Sequence, residues 1–250
     1  MEGPTSKEVL EQANRQYGMV TRRQLRSLGM TGRRIDTRIK NGRLLPVGVG
    51  LGVYAVGRPI ESRRALCMAA TLVAGEGSMV AGRAAADLWG FMDHIGLIEV
   101  VRPHSHKPRE LWLDGDGVIG RHKVQIRRSR HLPPEDRTRV HGVPVMVTAR
   151  LFVDLSARLP DKKLRDAFKQ ADIMGKLIER DLKRCTGLGR GWKGIRRYRK
   201  LVERRHPDMK DAGSVKEGDL IELFASDPEL GRPLVNKRKG RYFPDFYFED

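Results

Sequence analysis

Cysteine and long apolar runs are scarce in this chain, and each shortage excludes a class of protein. The two cysteines among 250 residues, Cys67 and Cys185, lie far apart and match no metal-binding spacing. A disulfide scaffold and a cysteine-based zinc module are therefore excluded, and the pattern indicates a reducing compartment. The longest apolar run, residues 66–75, has about half the length that a membrane-spanning helix needs. The first residues, MEGP, lack the basic start and apolar core of a signal peptide, so we expect a cytoplasmic protein with no membrane partner.

Basic residues, in contrast, are abundant. The chain has 49 Lys and Arg against 31 Asp and Glu, which gives a net charge of +18 and a pI near 10.4. A balance this basic indicates a polyanionic partner: DNA, RNA or an anionic membrane surface. Aromatic residues make up 6% of the chain, and no stacking platform is evident, which argues against the alternative of a basic RNA-binding module. The length suits two or three modest domains.

A helix-turn-helix is predicted from the capping signals that follow residue 20. Thr21 is an N-cap with Gln24 at the reciprocal capping-box position, and Gly29 ends this first helix. Thr31 then caps a second helix, which an Asn-Gly pair at residues 41–42 ends. The second helix has two apolar residues spaced for one buried face, Ile35 and Ile39.

A wing and a preceding helix complete this predicted unit. Two short apolar strands, residues 44–47 and 53–56, flank the glycine-rich connection GVGLG at residues 48–52. Residues 5–17 have the apolar stripe of a helix. Residues 1–57 contain ten Lys and Arg and four Asp and Glu, and nine of the ten basic residues lie between Arg15 and Arg43. The charge is therefore concentrated on the turn and the second helix.

The outward side chains of the second helix indicate contact with duplex DNA. Arginine presents a fixed fork of donors that fits guanine O6 and N7, or a phosphate. A charged helix face that is merely solvated is the alternative, and the caps, buried isoleucines and wing in register favour DNA. The residues predicted to enter the major groove are Arg33, Arg34, Thr37 and Arg38, with Thr31 at the same surface. The residues predicted to contact phosphates are Arg22, Arg23, Arg26, Lys40 and Arg43.

Residues 59–185 are predicted to form an α/β domain. We expect helices over residues 62–74 and 78–90, then strands over 98–101 and 124–127. The DGDG run at residues 114–117 lacks the remaining ligands of a calcium loop and is predicted as a turn.

Two further features of this segment are candidates for a metal site and for phosphate contacts. The pair His104 and His106 has no third metal ligand and is predicted to lie in a solvated loop. Arg127, Arg128 and Arg130 either add phosphate contacts or form a charged strand edge, and the residues leave both open.

A basic amphipathic helix follows a helical stretch and a predicted linker. Residues 151–182 have helical periodicity, and the glycine-rich residues 187–194 lack the ending of a phosphate-binding loop. The next helix, residues 195–205, places apolar residues on one face and basic residues on the rest. We predict that it forms a second phosphate-binding surface, with an anionic lipid, a protein partner or a solvated face as alternatives. The residues assigned to this surface are Arg196, Arg197, Arg199 and Lys200.

These motifs resemble the AbiEi-type antitoxin family of bacterial and phage transcriptional regulators. The likeness covers nearly the whole chain, from the winged helix through AAADLWG at residues 84–90 to VHGVPV at residues 140–145. It implies an N-terminal winged helix that binds operator DNA and represses its own operon, followed by a regulatory or antitoxin domain. Members of that family usually carry a basic residue in the wing. The GVGLG wing has none, so its DNA contacts would use backbone N–H groups.

The C-terminal segment resembles the start of the very-short-patch-repair-like endonuclease fold. Matched by position, Glu217 corresponds to that fold's helix glutamate and Asp245 to its first strand aspartate, which together would hold a divalent metal. Such chemistry uses two or more carboxylates to bind a metal that activates water. The fold needs a second acidic strand roughly ten residues further on, but the chain ends at Asp250 and offers only Glu249. We therefore expect an incomplete site.

The sequence as a whole predicts a mixed α/β (α+β) protein of three parts. These are a winged helix-turn-helix over residues 1–58, an α/β regulatory domain over 59–185, and a basic helix with a truncated nuclease-like segment over 186–250. The predicted function is a sequence-specific repressor that binds double-stranded operator DNA as a monomer or homodimer, either autoregulating a toxin–antitoxin pair or controlling phage immunity. A cognate toxin would not be in direct contact with it. No enzyme activity, catalytic residue, metal or cofactor is expected, and a metal-dependent DNA endonuclease is the alternative.

Overall fold

The structure of the protein is a computed structural model. It describes residues 6–103, 109–115, 120–129, 131–205, 214–226, 234–236 and 245–247. The chain divides into two compact units: Met1–Trp89 with Asp93–Val147, and Gly90–Met92 with Thr148–Asp250. The boundaries between these units coincide with neither of the domain boundaries predicted from the sequence, after residues 58 and 185. The three-part arrangement stays a prediction.

The first unit begins with three helices and a small antiparallel sheet. Strand β3 (Val53–Val56) lies at the centre of this sheet, between β1 (Met19–Thr21) and β2 (Leu44–Pro46). The helices bury an apolar cluster that includes Val9, Leu25, Ile35 and Tyr54. The elements are α1 Ser6–Asn14, β1 Met19–Thr21, α2 Arg22–Ser27, α3 Gly32–Lys40, β2 Leu44–Pro46 and β3 Val53–Val56.

The same unit continues with a six-stranded mixed sheet. Its strand order is β6-β7-β5-β4-β9-β8, with β5 parallel to β7 and β4 parallel to β9. The inner strands bury apolar residues such as Val80, Ile98 and Val124, each fully buried. A 3₁₀ turn, Pro134–Asp136, precedes β8. The elements are α4 Arg63–Ala74, β4 Met79–Ala81, α5 Gly82–Trp89, β5 Ile98–Pro103, β6 Arg109–Asp114, β7 Arg121–Ser129, β8 Arg137–Val140 and β9 Val143–Met146.

The predicted helix over residues 78–90 is partly wrong, because its first turn is the strand β4. Val80 pairs with Val100 of β5 and with Val145 of β9, so this strand lies inside the sheet. The helix starts only at Gly82, whose φ of 59° lies in the left-handed region. Pairing with strands that are distant in the sequence overrides the local helical pattern.

Gly82 lets a buried carboxylate reach the start of α5. Glu99, which is 7% exposed, accepts a hydrogen bond from the Arg83 amide N at 3.0 Å and pairs with Arg127 at 3.4 Å. A Cβ on Gly82 would lie 1.8 Å from a carboxylate oxygen of Glu99. The carboxylate therefore satisfies an amide at the helix N-terminus, where negative charge is stabilised.

The second unit is mainly helical. The Phe152 ring stacks on Phe91 at a centroid distance of 5.7 Å and meets Phe168 edge-on at 5.0 Å. The elements are α6 Thr148–Ser156, α7 Asp161–Ile173, α8 Glu179–Thr186, α9 Ile195–Glu203, α10 Val215–Ser226, β10 Leu234–Val235 and β11 Phe246–Tyr247.

The glycine-rich stretch 187–194 was predicted as a linker, but it packs against α6. The guanidinium of the buried Arg150 lies 4.2 Å from the centroid of the Trp192 ring, a cation–π contact. Gly194, with φ of 84°, comes so close to α6 that a Cβ would lie 2.5 Å from the Ala157 amide N. The prediction failed because both partners are distant in the sequence.

The mixed α/β class expected from the sequence is confirmed. Across the described ranges, no helix has both the length and the apolar character required to cross a membrane. Several sequence predictions lie outside the described residues. They concern the histidines at 104 and 106, residues 116–119 of the predicted turn, Arg130 and Glu249.

Replacing Gly82 tests the role of the buried carboxylate. We expect Gly82→Ala to lower the free energy of unfolding by about 3 kcal/mol or more, because the new Cβ displaces Glu99 and leaves a buried charge without its partners. Gly57→Ala is the matched control, since Gly57 also has a positive φ (77°) but nothing near its Cβ position. The control should lower the free energy of unfolding only by the cost of placing alanine at a positive φ, about 1–2 kcal/mol. Equal losses in chemical denaturation would contradict the role of Glu99.

Candidate nucleic-acid interface

Helix α2 begins and ends as its sequence predicts. The Thr21 hydroxyl accepts from the Gln24 amide N at 3.0 Å, and the Gln24 carbonyl oxygen of the side chain accepts from the Thr21 amide N at 2.8 Å. Gly29 has φ of 91°, and the Met30 amide N donates to the Leu25 carbonyl at 3.0 Å. The capping box and the glycine stop are therefore confirmed, and they set the turn between the two helices.

Helix α3 is likewise capped by a threonine at its start and stopped by a glycine at its end. The Thr31 hydroxyl accepts from the Arg34 amide N at 3.4 Å. Gly42 takes φ of 67°, and the Arg43 amide N donates to the Arg38 carbonyl at 2.9 Å. Ile35 is fully buried, so its helix must present the opposite side to solvent.

Most of the predicted DNA-contacting side chains are exposed. Arg38 is half-buried, and the Thr37 hydroxyl donates to the Arg33 carbonyl at 2.9 Å. The predicted residues that are exposed are Arg23, Arg26, Thr31, Arg33, Arg34, Thr37, Lys40 and Arg43. Together they make the exposed surface of α2 and α3 basic, since six of the eight are Arg or Lys.

Arg22, predicted as a phosphate contact, is bonded to residues of α3 and β3. Both terminal nitrogens of its guanidinium lie near one oxygen of Asp36, at 2.9 and 3.0 Å, and one of them donates to the Tyr54 hydroxyl at 3.2 Å. These hydrogen bonds, from Tyr54 first and then Asp36, raise the pKa of the Arg22 guanidinium above its usual value. The side chains of Arg22 and Asp36 are 37% and 57% exposed.

The remaining charge on this surface is almost entirely positive. Between residues 15 and 43 the chain has nine Lys and Arg and a single acidic residue, Asp36. Because Arg22 pairs with Asp36, the carboxylate is neutralised locally. Arg23 also has a partner, Glu76 at 3.0 Å, but both side chains are more than 80% exposed and such a pair is weak.

Of the four basic residues on α9 predicted to form a second phosphate-binding surface, two bind the protein itself and two are exposed. Arg197 donates to the carbonyls of Ser156 at 2.6 Å and Leu159 at 2.8 Å, and pairs with Asp161. Arg199 donates to the carbonyls of residues 186 and 188, at 3.0 and 2.8 Å. Arg196 and Lys200 are exposed. Arg197 and Arg199 therefore bind the carbonyl ends of α6 and α8, which carry partial negative charge.

Sequence reasoning missed these roles because the bonded groups are distant in the chain. Arg197 and Ser156 are 41 positions apart, and Arg205 pairs with Asp172 across 33 positions. The hydrogen bonds with Asp172 raise the pKa of the Arg205 guanidinium. No local pattern distinguishes an arginine that caps another helix from one that faces solvent.

Glu217 and Asp245, which were matched from the sequence to a nuclease fold, are connected through Asn236. Glu217 accepts from the Ser214 hydroxyl at 3.0 Å and from the Asn236 side-chain amide at 3.2 Å. The Asn236 amide N donates to the Asp245 carbonyl at 2.9 Å, and the Asp245 side chain is exposed. Among the described residues, no three His, Cys, Asp or Glu side chains are grouped closely enough to hold a metal.

Comparisons with known proteins gave no support for assigning a family: no protein-family model matches the chain, and no curated protein matches it at a significant level.

The division of α9 predicts unequal effects of neighbouring arginines on stability. Arg197→Ala should lower the free energy of unfolding by about 1.5–3 kcal/mol, because carbonyls at the end of α6 lose a charged donor. Arg196→Ala, one position away and exposed, should stay within about 0.5 kcal/mol of the unmodified protein. Urea denaturation of both variants measures the difference. If both changes are equally small, the Arg197 contacts contribute nothing to the fold.

Proposed function

We propose that this protein is a cytoplasmic, sequence-specific repressor that binds double-stranded operator DNA. The observation that carries the proposal is the exposed basic side of α3. Ile35 faces the core, while Arg33, Arg34 and Thr37 face solvent next to Arg38. A helix with this division of faces, held at both ends by caps, suits insertion into the major groove. Arg26, Lys40 and Arg43 flank it as phosphate contacts.

The resemblance to AbiEi-type regulators supports a role in controlling an operon, through occupancy of a promoter that excludes polymerase. Toxin–antitoxin autoregulation and phage immunity both fit this mechanism. On α9, Arg196 and Lys200 are the side chains proposed for a second phosphate contact, because Arg197 and Arg199 bind backbone carbonyls instead. Binding as a monomer and binding as a homodimer both fit.

Selection followed by titration tests the reading helix. Fragments bound by the protein are enriched from a random library, and affinity is then measured for the selected and a scrambled duplex at fixed salt. Arg34→Ala and Arg38→Ala should each lower affinity for the selected duplex by roughly 1–3 kcal/mol, and for the scrambled duplex far less, because they lose base contacts.

Lys40→Ala is the matched control for this titration. It should weaken both duplexes similarly and make the slope of log affinity against log salt shallower by about one. If no sequence is enriched, or if Arg34→Ala and Arg38→Ala weaken both duplexes equally, sequence-specific reading by α3 is refuted.

A metal-dependent DNA endonuclease is the second candidate function, and the Glu217–Asn236–Asp245 connection supports it. Metal chemistry of that kind needs carboxylates converging from at least two elements. Glu217 accepts hydrogen bonds from two neutral groups, the Ser214 hydroxyl and the Asn236 side-chain amide. Asn236 in turn donates to the backbone carbonyl of Asp245 rather than to its carboxylate. We therefore favour the repressor.

The two functions differ in what they do to plasmid DNA. We expect no nicking or cleavage of plasmid carrying the selected sequence in the presence of Mg²⁺ or Mn²⁺. Asp245→Ala should leave affinity for that sequence unchanged within error. Metal-dependent nicking that disappears in Asp245→Ala or Glu217→Ala would replace the repressor with the endonuclease.

A further inference from the structure

Arg22, at the start of α2, bonds to three neighbouring parts of the proposed winged unit. Its backbone N donates to the Gly52 carbonyl of the wing at 2.7 Å. Its guanidinium binds Asp36 on α3 and the hydroxyl of Tyr54, a buried residue at the centre of the small sheet. One residue at the start of α2 thus bonds to the wing, the sheet and the basic helix.

These contacts leave the guanidinium poorly placed to bind a phosphate. Both terminal nitrogens are directed at the same Asp36 oxygen, and one also serves Tyr54. A carboxylate on a helix that meets DNA repels phosphates unless a cation neutralises it. In this unit Arg22 supplies that cation.

We infer that Arg22 and Asp36 form a positioning pair that orients α3 relative to the wing, so that an acidic residue on the basic helix strengthens DNA binding. This inference rests on the proposed function. An exposed ion pair adds little to overall stability. Its effect lies in preorganisation, because a helix already held in its binding orientation loses less freedom when it enters the groove.

A double-mutant cycle on affinity for the selected duplex tests the pair. Arg22→Ala and Asp36→Ala should each weaken binding on the order of fivefold, equivalent to about 1 kcal/mol. The double variant should be no weaker than either single one, since both remove the same contact. The double variant, which loses both charges together, should keep the salt slope of the unmodified protein, because no phosphate contact is lost.

Three further variants separate positioning from charge and from folding. Glu11→Ala removes an exposed acidic residue of α1 and gives the pure charge effect, which is unchanged or slightly tighter binding. Asp36→Asn keeps an acceptor oxygen for Arg22 and should recover part of the affinity lost in Asp36→Ala. Tyr54→Phe removes the second acceptor with little change in shape and should weaken binding less than Asp36→Ala. Thermal melting confirms that each variant is folded.

The inference is overturned if Asp36→Ala binds as tightly as the unmodified protein or more tightly, or if the two single losses multiply in the double variant. A shallower salt slope for the double variant would return Arg22 to the phosphate contacts. These failures differ from failure of the proposed function. In that case the unmodified protein enriches no sequence at all, whereas here it does so and Arg38→Ala still loses the selected duplex.

Discussion

Burial of Ile35 is the constraint on which the candidate interface depends. This side chain has no exposed surface, and it packs in a cluster with Leu25, Met30, Leu44 and Tyr54. Because an α-helix repeats every 3.6 residues, a buried position 35 turns residues 33, 34 and 37 outward. Met30 joins that cluster through the turn that ends α2, so the turn geometry and the helix orientation are determined together. The basic surface is thus a consequence of apolar packing on the other side of the same short helix.

Arginine has two distinct functions in this protein, and net charge does not separate them. Arg22, Arg197, Arg199 and Arg205 bind oxygens of their own chain, either carboxylates or carbonyls at helix ends. The planar guanidinium suits this role because it presents several donors in a fixed geometry. Within the described residues, the exposed basic side chains of α3, Arg33, Arg34 and Lys40, are not bound to carbonyls or carboxylates of the protein in this way. The count of 49 Lys and Arg therefore overstates the number of cations that are available to a polyanion.

The last described segments belong to the helical unit that precedes them. Ile221 of α10 and Val235 of β10 are buried against Ile173 of α7, and Lys169 of α7, which is itself buried, pairs with Asp219. The ion pair joins residues 50 positions apart, and Ile173 and Ile221 are 48 positions apart. Helix α10, which contains Glu217, is thereby packed against α7. The hydrogen bonds of Glu217 and Asp245 with Asn236 form a small polar network on the surface of this unit. Asn236 has a left-handed backbone conformation, with φ of 49°.

Local chemistry in the sequence determined the parts of this protein that obey local rules. The capping box at Thr21, the glycine that ends α2 and the cap at Thr31 were all predictable, because each depends on residues three or four positions apart. The class of fold followed from periodicity. Tertiary structure alone decided that residues 79–81 form a strand, because their partners lie at residues 99–101 and 145. It also decided which arginines bind the protein itself, since the carbonyls and carboxylates that they meet come from other elements. Pairwise contacts between distant segments leave no periodic trace, and that is the physical reason why the sequence predicted the basic surface of α3 but not the pairing of Arg22 with Asp36.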